Sequence, residues 1–188
     1  MKGKALYLSL VIIFVYACLL LGYSFGTLPF VKAAWLWLSG FVAFTFIEYL
    51  FHRFFFHMAA NTETKKNLQY AVHGNHHAAP SDTTGVMMKP SIAVIMLVFL
   101  SALFYALFRW NALALLPGFL FGYSCYLFIH FAIHAYKPPR NFLRRLWKLH
   151  NLHHFDDDHR NYGVSSPFWD IVFNTYSPAK KTKRRPDE

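Results

Sequence analysis

The sequence predicts an all-α integral membrane protein: four transmembrane helices and a helical cytoplasmic cap holding a histidine-rich site for two metal ions. Three observations predict it. Of 188 residues, 55% are hydrophobic and only 15% are charged, whereas a soluble domain carries roughly a quarter charged residues. Four apolar runs reach or approach the roughly 17–25 residues that a helix needs to cross a bilayer. Ten of the eleven histidines fall into four tight clusters at the ends of those runs or between them.

The first run covers about residues 5–27. It is uniformly apolar and lacks a small-residue cleavage site, so it reads as a retained span and not a signal peptide. A turn near Gly26 and Pro29 leads into the second run, about 33–51. A segment over 52–90 then separates the first helical hairpin from the second, whose runs cover about 91–108 and 112–136 with a turn near Arg109 and Asn111. Within 52–90, Asn61 and Thr62 signal a helix start, which predicts a helix through His77. After the fourth run, Pro138 and Pro139 predict the start of another helix, within a final segment over 137–188. The length suits one domain over 1–188, and no internal repeat is evident beyond a recurring His-x2-His-His pattern.

The formal charge is +10, from 19 Lys and Arg against 9 Asp and Glu. In a soluble protein that excess would invite a nucleic-acid partner, but its distribution follows topology instead. With both termini on one side, 17 basic residues share that side and only Lys32 and Arg109 lie opposite. The positive-inside rule then places both termini, the 52–90 segment and every histidine cluster at the cytoplasmic face. The basic tail from Lys180 to Arg185 would meet anionic headgroups there. Cys18 and Cys125 lie inside spans and read as small apolar residues, neither a disulfide nor a thiolate metal site.

The clusters are His52 and His57; His73, His76 and His77; His130 and His134; His150, His153 and His154. A lone histidine on an apolar helix is more often a hydrogen-bonded core residue, but repeated pairs at fixed spacing reverse that balance. Residues three and four apart share a helix face. His130 and His134 are therefore neighbours, and each His-x2-His-His set fits one sector of about 100°. His52 and His57 are five apart, about 140° around an ideal helix, so either they serve different ions or the helix distorts between them. Ten imidazoles exceed what one ion uses, and ligands without thiolate suit iron, zinc, copper or nickel and not an iron–sulfur cluster. His159 belongs to no cluster and reads as a surface residue.

Four ordered blocks carry a resemblance. They are the run Phe46 to Met58; His73-Gly74-Asn75-His76-His77 with Pro80 and Asp82; Gly122-Tyr123-x2-Tyr126-x3-His130-x3-His134; and His150-x2-His153-His154 with Asn161 to Asp170, Asn174 and Thr175. Over roughly 44–178 the chain resembles the fatty acid hydroxylase superfamily, and within it the fatty acid 2-hydroxylases that act on sphingolipid acyl chains. The resemblance implies a membrane-bound, O2-dependent oxidoreductase with two iron ions on the ten clustered histidines, although zinc fits the same imidazoles in isolated protein. It places Tyr123 and Tyr126 near metal or substrate. Glu48 is expected to hydrogen-bond and orient a ligand histidine, and Asp170 either does the same or caps the tail. Leu127 and Gly85 depart from the acidic residue and arginine that the 2-hydroxylases carry there, which puts the headgroup preference in question.

The function expected is hydroxylation at C2 of a sphingolipid or fatty acyl chain. Alternatives are hydroxylation of a carotenoid or sterol, and a membrane metal-binding protein without catalysis. Pro80, Asp82 and the spacing of His130 and His134 argue against the carotenoid option, and clustering at one face argues against transport. The resemblance includes no fused cytochrome b5-like domain, so electrons are expected from a separate reductase or cytochrome b5-like donor. The expected location is a membrane with the metal site facing the cytoplasm, a bacterial inner membrane in preference to the endoplasmic reticulum.

Overall fold

The structure, a computed structural model, describes residues 3–178, so Lys2 and the basic tail from Lys180 to Arg185 lie outside the described residues. All regular structure among the described residues is helical. The long helices are α1 (Lys4–Thr27), α2 (Phe30–Leu50), α5 (Pro90–Phe108) and α6 (Ala112–Ala135). Between and after them come α3 (Glu63–Gln69), α4 (Asn75–Ala78), α7 (Arg144–Phe155) and α8 (Phe168–Val172). Three stretches are long and apolar enough to cross a membrane: Lys4–Thr27, Phe30–Phe56 and Pro90–Ala135. The chain divides into two compact units, Met1–Ile47 with Thr83–Ala132, and Glu48–Asp82 with Ile133–Glu188.

The first unit is built from the apolar helices. As one straight helix, the 46-residue stretch Pro90–Ala135 would run about 69 Å, far beyond a bilayer core of about 30 Å. It folds back instead. A 3₁₀ turn, Arg109–Asn111, breaks it, with Arg109 at φ 52°, and the Phe104 and Phe119 rings meet at 5.2 Å. Helix α1 packs along α5, where the Ser9 hydroxyl reaches the Ala5 and Met88 carbonyls, each at 2.9 Å, and the Tyr16 and Ser101 hydroxyls pair. α2 and α6 approach through glycines, as membrane helices do where small residues let backbones meet. A β-carbon on Gly40 would sit 2.0 Å from the Leu115 carbonyl oxygen, and one on Gly118 would sit 1.9 Å from that of Trp37. Leu6, Ile13, Leu97, Phe104, Leu116 and Leu120 form the core, yet Tyr7, Leu19, Val98 and Phe99 stay more than 60% exposed. Helices apolar on both inner and outer faces belong in lipid.

Leu127 is buried in that apolar core. The side chain at this position therefore packs among apolar neighbours of the first unit.

The second unit begins where α2 continues into a π-helical turn, Phe51–Phe56, so the helix expected to stop near residue 51 runs five residues further. Thr62 caps α3 by accepting the Lys65 N–H, as its position before the helix predicts, although the helix opens at Glu63. A second π turn, Tyr70–Gly74, joins α3 to α4. Helix α7 opens at Arg144 and not at the prolines. A turn at Asn141 leads into it, the Asn141 side chain accepting the Leu143 N–H at 3.1 Å and its carbonyl the Arg144 N–H at 3.1 Å. The chain then closes on itself. Asn161, at φ 56°, exchanges two side-chain hydrogen bonds with the Ser177 backbone, at 2.9 and 2.8 Å.

Candidate metal centre

Within the second unit the histidines sort into two sets. His52, His57, His73, His77 and His153 place one ring nitrogen each within 4.8 Å of one another. His76, His134, His150 and His154 do the same. His130, 4% exposed, stands one turn before His134 on α6, in the first unit, with the Tyr126 ring 5.4 Å away.

The partition follows from helix phase. Each His-x2-His-His pattern sends its first and last histidine to one set and its middle histidine to the other. His73 and His77 join the first set and His76 the second, while His150 and His154 join the second and His153 the first. The i,i+4 pair lies 40° apart on an ideal helix, close enough for two nitrogens to converge, and the i+3 residue lies 60° to the other side of the first. The distortion between His52 and His57 is real. The His57 N–H reaches back five residues to the His52 carbonyl at 3.2 Å, a π-type bond, and the two rings come to 5.2 Å. Both histidines therefore serve one set. The two sets abut, with the His77 and His154 rings stacked at 4.1 Å.

Does this donor arrangement fit a cation? Nε2 of His73 lies 3.1 Å from that of His52 and 3.0 Å from that of His77. Nε2 of His150 lies 2.9 Å from that of His134 and 3.1 Å from that of His154. Nitrogens about 2.1 Å from one ion and at right angles would be about 3.0 Å apart. A hydrogen-bonded explanation is poorer, because Nε2 of His73 and of His150 each has two nitrogen neighbours and at most one hydrogen to offer. The tautomers agree. Nδ1 of His52 meets the Tyr162 carbonyl, and Nδ1 of His153 meets the Arg160 carbonyl at 2.7 Å. A carbonyl only accepts, so each Nδ1 carries the hydrogen and each Nε2 turns a lone pair inward. Nε2 of His57 and of His153 and Nδ1 of His154 are buried without a hydrogen-bond partner. The residues present fit two metal ions.

Electrostatics point the same way. Burial, then the neighbouring His77, lowers His57 to about 4, with Asp158 opposing. Burial, then His134, lowers His76 to about 3. His73, His153 and His154 are also pushed down, by burial first and then by nearby imidazoles. Imidazoles neutral at pH 7 are the form that binds metal.

The loop after α7 holds this arrangement. Glu48, 7% exposed on α2, accepts the Val164 N–H at 2.8 Å, the Ser165 N–H at 2.9 Å and the Ser165 hydroxyl. It was expected to bond a ligand histidine directly. It binds the loop instead, because the Nδ1 of His52 is already turned to the Tyr162 carbonyl. Asp170, fully buried, accepts the Tyr162 and Gly163 N–H groups, both at 2.8 Å, and the Thr175 hydroxyl at 2.7 Å. Burial raises its carboxyl above the ordinary aspartate range against those bonds. Of its two expected roles it takes the capping one. A β-carbon at Gly163 would fall 2.1 Å from the Ser166 carbonyl oxygen and 2.9 Å from Asp170 Oδ2, so no side chain fits there.

Three carbonyls thus orient imidazoles, those of Tyr162, Arg160 and Pro80, the last bonded to His134. Sequence reasoning did not assign these, since any residue type supplies a carbonyl. Asp158 was also missed; its Oδ2 lies 3.8 Å from Nδ1 of His57. His159 stays outside both sets, 3.7 Å from Asp158 and 78% exposed in its side chain. Neither Cys18 nor Cys125 joins a histidine set. Tyr123 and Tyr126 stack at 6.2 Å in the first unit, where the Tyr123 hydroxyl meets the Met88 sulfur at 3.9 Å.

Apolar helices of membrane length and two buried polyhistidine sets of ligand geometry define a class, the histidine-rich membrane metalloproteins. Within that class, the chain belongs to the fatty acid hydroxylase family, whose model matches residues 37–175. The dihydroceramide fatty acyl 2-hydroxylase FAH2 of Arabidopsis thaliana is 34% identical over 147 residues, covering 78% of this chain and 62% of that protein. The ceramide very long chain fatty acid hydroxylase SCS7 of Saccharomyces cerevisiae is 38% identical over 160 residues, covering 80% and 41%. The fatty acid 2-hydroxylase of Rattus norvegicus is 33% identical over 151 residues, covering 76% and 40%. The chain thus matches 62% or less of each of these relatives. A solved structure, full-length scs7p with only its hydroxylase domain visible, superposes with a TM-score of 0.83 at 34% identity, over 94% of this chain and 69% of that one.

Proposed function

We propose that this chain is an O2-dependent membrane hydroxylase that places a hydroxyl on C2 of a sphingolipid or fatty acyl chain. The observation that carries the proposal is the pair of imidazole sets, with ligating nitrogens about 3 Å apart in each. One iron would be held by His52, His57, His73, His77 and His153. The other would be held by His76, His130, His134, His150 and His154, with His130 brought in by its place one turn before His134. Two irons would supply dioxygen reduction and the oxidising power to break an acyl C–H bond. Two electrons per turnover come from a separate reductase or cytochrome b5-like protein.

The chain's own residues have defined parts in this reading. Tyr162, Arg160 and Pro80 carbonyls fix imidazole tautomers, Glu48 and Asp170 hold the loop that carries Tyr162, and Tyr123 and Tyr126 line the substrate side near His130. α1, α2, α5 and α6 would span the membrane as two hairpins. Both termini and the segments 52–90 and 137–188 would face the cytoplasm, in a bacterial inner membrane, and the whole would act as one hydroxylase domain. A centre at the ends of spans reaches carbons near the headgroup, which favours C2 over mid-chain oxidation, in keeping with the names of the relatives.

Lipid mass spectrometry of a host with and without the chain tests this. A 2-hydroxyacyl sphingolipid or fatty acid that vanishes with His153→Ala is the expected result. A hydroxyl on a ring or at mid-chain would overturn the C2 assignment. No lipid change and no oxygen uptake from a two-metal protein supplied with reductant and donor would overturn the hydroxylase reading.

A further inference from the structure

The structure assigns α8, Phe168–Val172, a role as an interfacial anchor that seats its apolar face at the boundary between headgroups and acyl chains. Phe168, Ile171 and Val172 are 56%, 56% and 53% exposed. They stand at i, i+3 and i+4 and so form one face. The opposite side is committed inward, where fully buried Asp170 holds the Tyr162–Gly163 backbone. Three large apolar side chains on five residues are an expensive surface to leave in water, and among the described residues more than half of each stays uncovered.

The lipid surface is the occupant, because the residue that follows α8 packs against the end of a membrane-length helix. Phe173, next after α8, stacks on Tyr49 at 5.3 Å and 15°. Tyr49 lies in the Phe30–Phe56 stretch, whose end carries Phe51 at 51% and Phe54 at 61% exposure. Five residues are far too few to cross a bilayer, so an apolar face beside a span end lies in the interface. The surrounding side chains suit that depth. The Arg53 guanidinium sits 5.0 Å from the Phe54 ring centre and donates to the Tyr49 hydroxyl at 2.7 Å, and Arg145 donates to the Tyr176 hydroxyl at 2.8 Å. Aromatic rings with basic residues on their polar edges mark the headgroup level. The inference needs the membrane setting of the second span but not the reaction or its substrate.

Ile171→Cys and Val172→Cys, each in a chain carrying Cys18→Ser and Cys125→Ser, can be labelled with an environment-sensitive fluorophore after the metal-loaded protein is reconstituted in phosphatidylcholine vesicles. Nitroxide placed high on the lipid acyl chain should lower the fluorescence by about half, with weaker quenching from nitroxide near the chain end and shielding from aqueous iodide. Quenching by iodide with none from lipid would overturn the anchor. Shielding from both quenchers, with Ile171→Cys copies cross-linking to each other, would assign the face to a second copy instead. Strongest quenching from the chain-end nitroxide would place α8 inside the bilayer and refute an interfacial seat.

Discussion

Glu48→Ala should weaken metal binding at the first histidine set without touching a ligand. The Glu48 side chain accepts two backbone N–H groups and one hydroxyl from Val164 and Ser165, and all but 7% of the residue is buried. Removing it strands the buried Val164 N–H, at a cost of about 1–3 kcal/mol, and leaves the half-buried Ser165 groups to find water, so the folded state should lose about 1–3 kcal/mol. The same loop carries the Tyr162 carbonyl that turns the lone pair of His52 inward. Loss of an orienting partner lowers metal affinity by about 10–100-fold, equivalent to about 1.4–2.7 kcal/mol. Glu48→Gln keeps an acceptor for the backbone groups and should recover most of both losses. Competition with a graded series of chelators, with helical content followed by circular dichroism, measures the effect per metal. Glu48→Ala protein that stays helical and releases both metals as wild type does would refute the argument, as would equal weakening of both.

Elemental analysis should find two metal ions per chain, retained in His159→Ala and in the Cys18→Ser, Cys125→Ser double variant; loss of metal in either would contradict the ligand assignment. Gly118→Ala would put a methyl group 1.9 Å from the Trp37 carbonyl oxygen, so the α2–α6 contact should open at a cost of about 1–3 kcal/mol, read as a lower thermal unfolding midpoint in detergent. Metal-free protein should lose stability as pH falls below the ordinary histidine value of 6.5, through about 4 for His57 and towards about 3 for His76. The unfolded chain gains protons across that window while the folded chain resists them, so the stability present above pH 6.5 is lost on acidification. Acid titration of the apo-protein checks this, and a stability flat from pH 7 to 3 would contradict it.

The helices and the histidine clusters were legible because both depend on short-range periodicity. Apolar run length located α1, α5 and α6 to within a residue or two, and the His-x2-His-His spacing marked ligands on shared faces. Their division into two sets was not legible. Helix phase turns His76 and His153 away from their own pairs, but which histidines they then meet is decided by tertiary packing. The start of α7 was misplaced because a proline pair resembles a first helical turn, while the turn that leads into the helix lies at Asn141. The role of Glu48 was misassigned because its target, the Val164–Ser165 backbone, is 116 residues away in sequence.

The π turn at Phe51–Phe56 makes the site sensitive to chain length in a way that residue identity does not reveal. Such a turn holds one residue more than the α-helix it interrupts, and that extra residue brings His57 around to His52. Wound as a regular α-helix with every residue kept, the stretch would put His57 about 140° around from His52, whereas loss of one residue between them would leave a regular i,i+4 pair about 40° apart. An alanine at one histidine removes one donor, whereas an α-helical winding of the same residues would misdirect a donor that is still present. The stretch should therefore accept changes of side chain that leave the π turn in place, and transplanting this histidine pair onto a regular helix would require either carrying the π turn with it or closing the spacing by one residue.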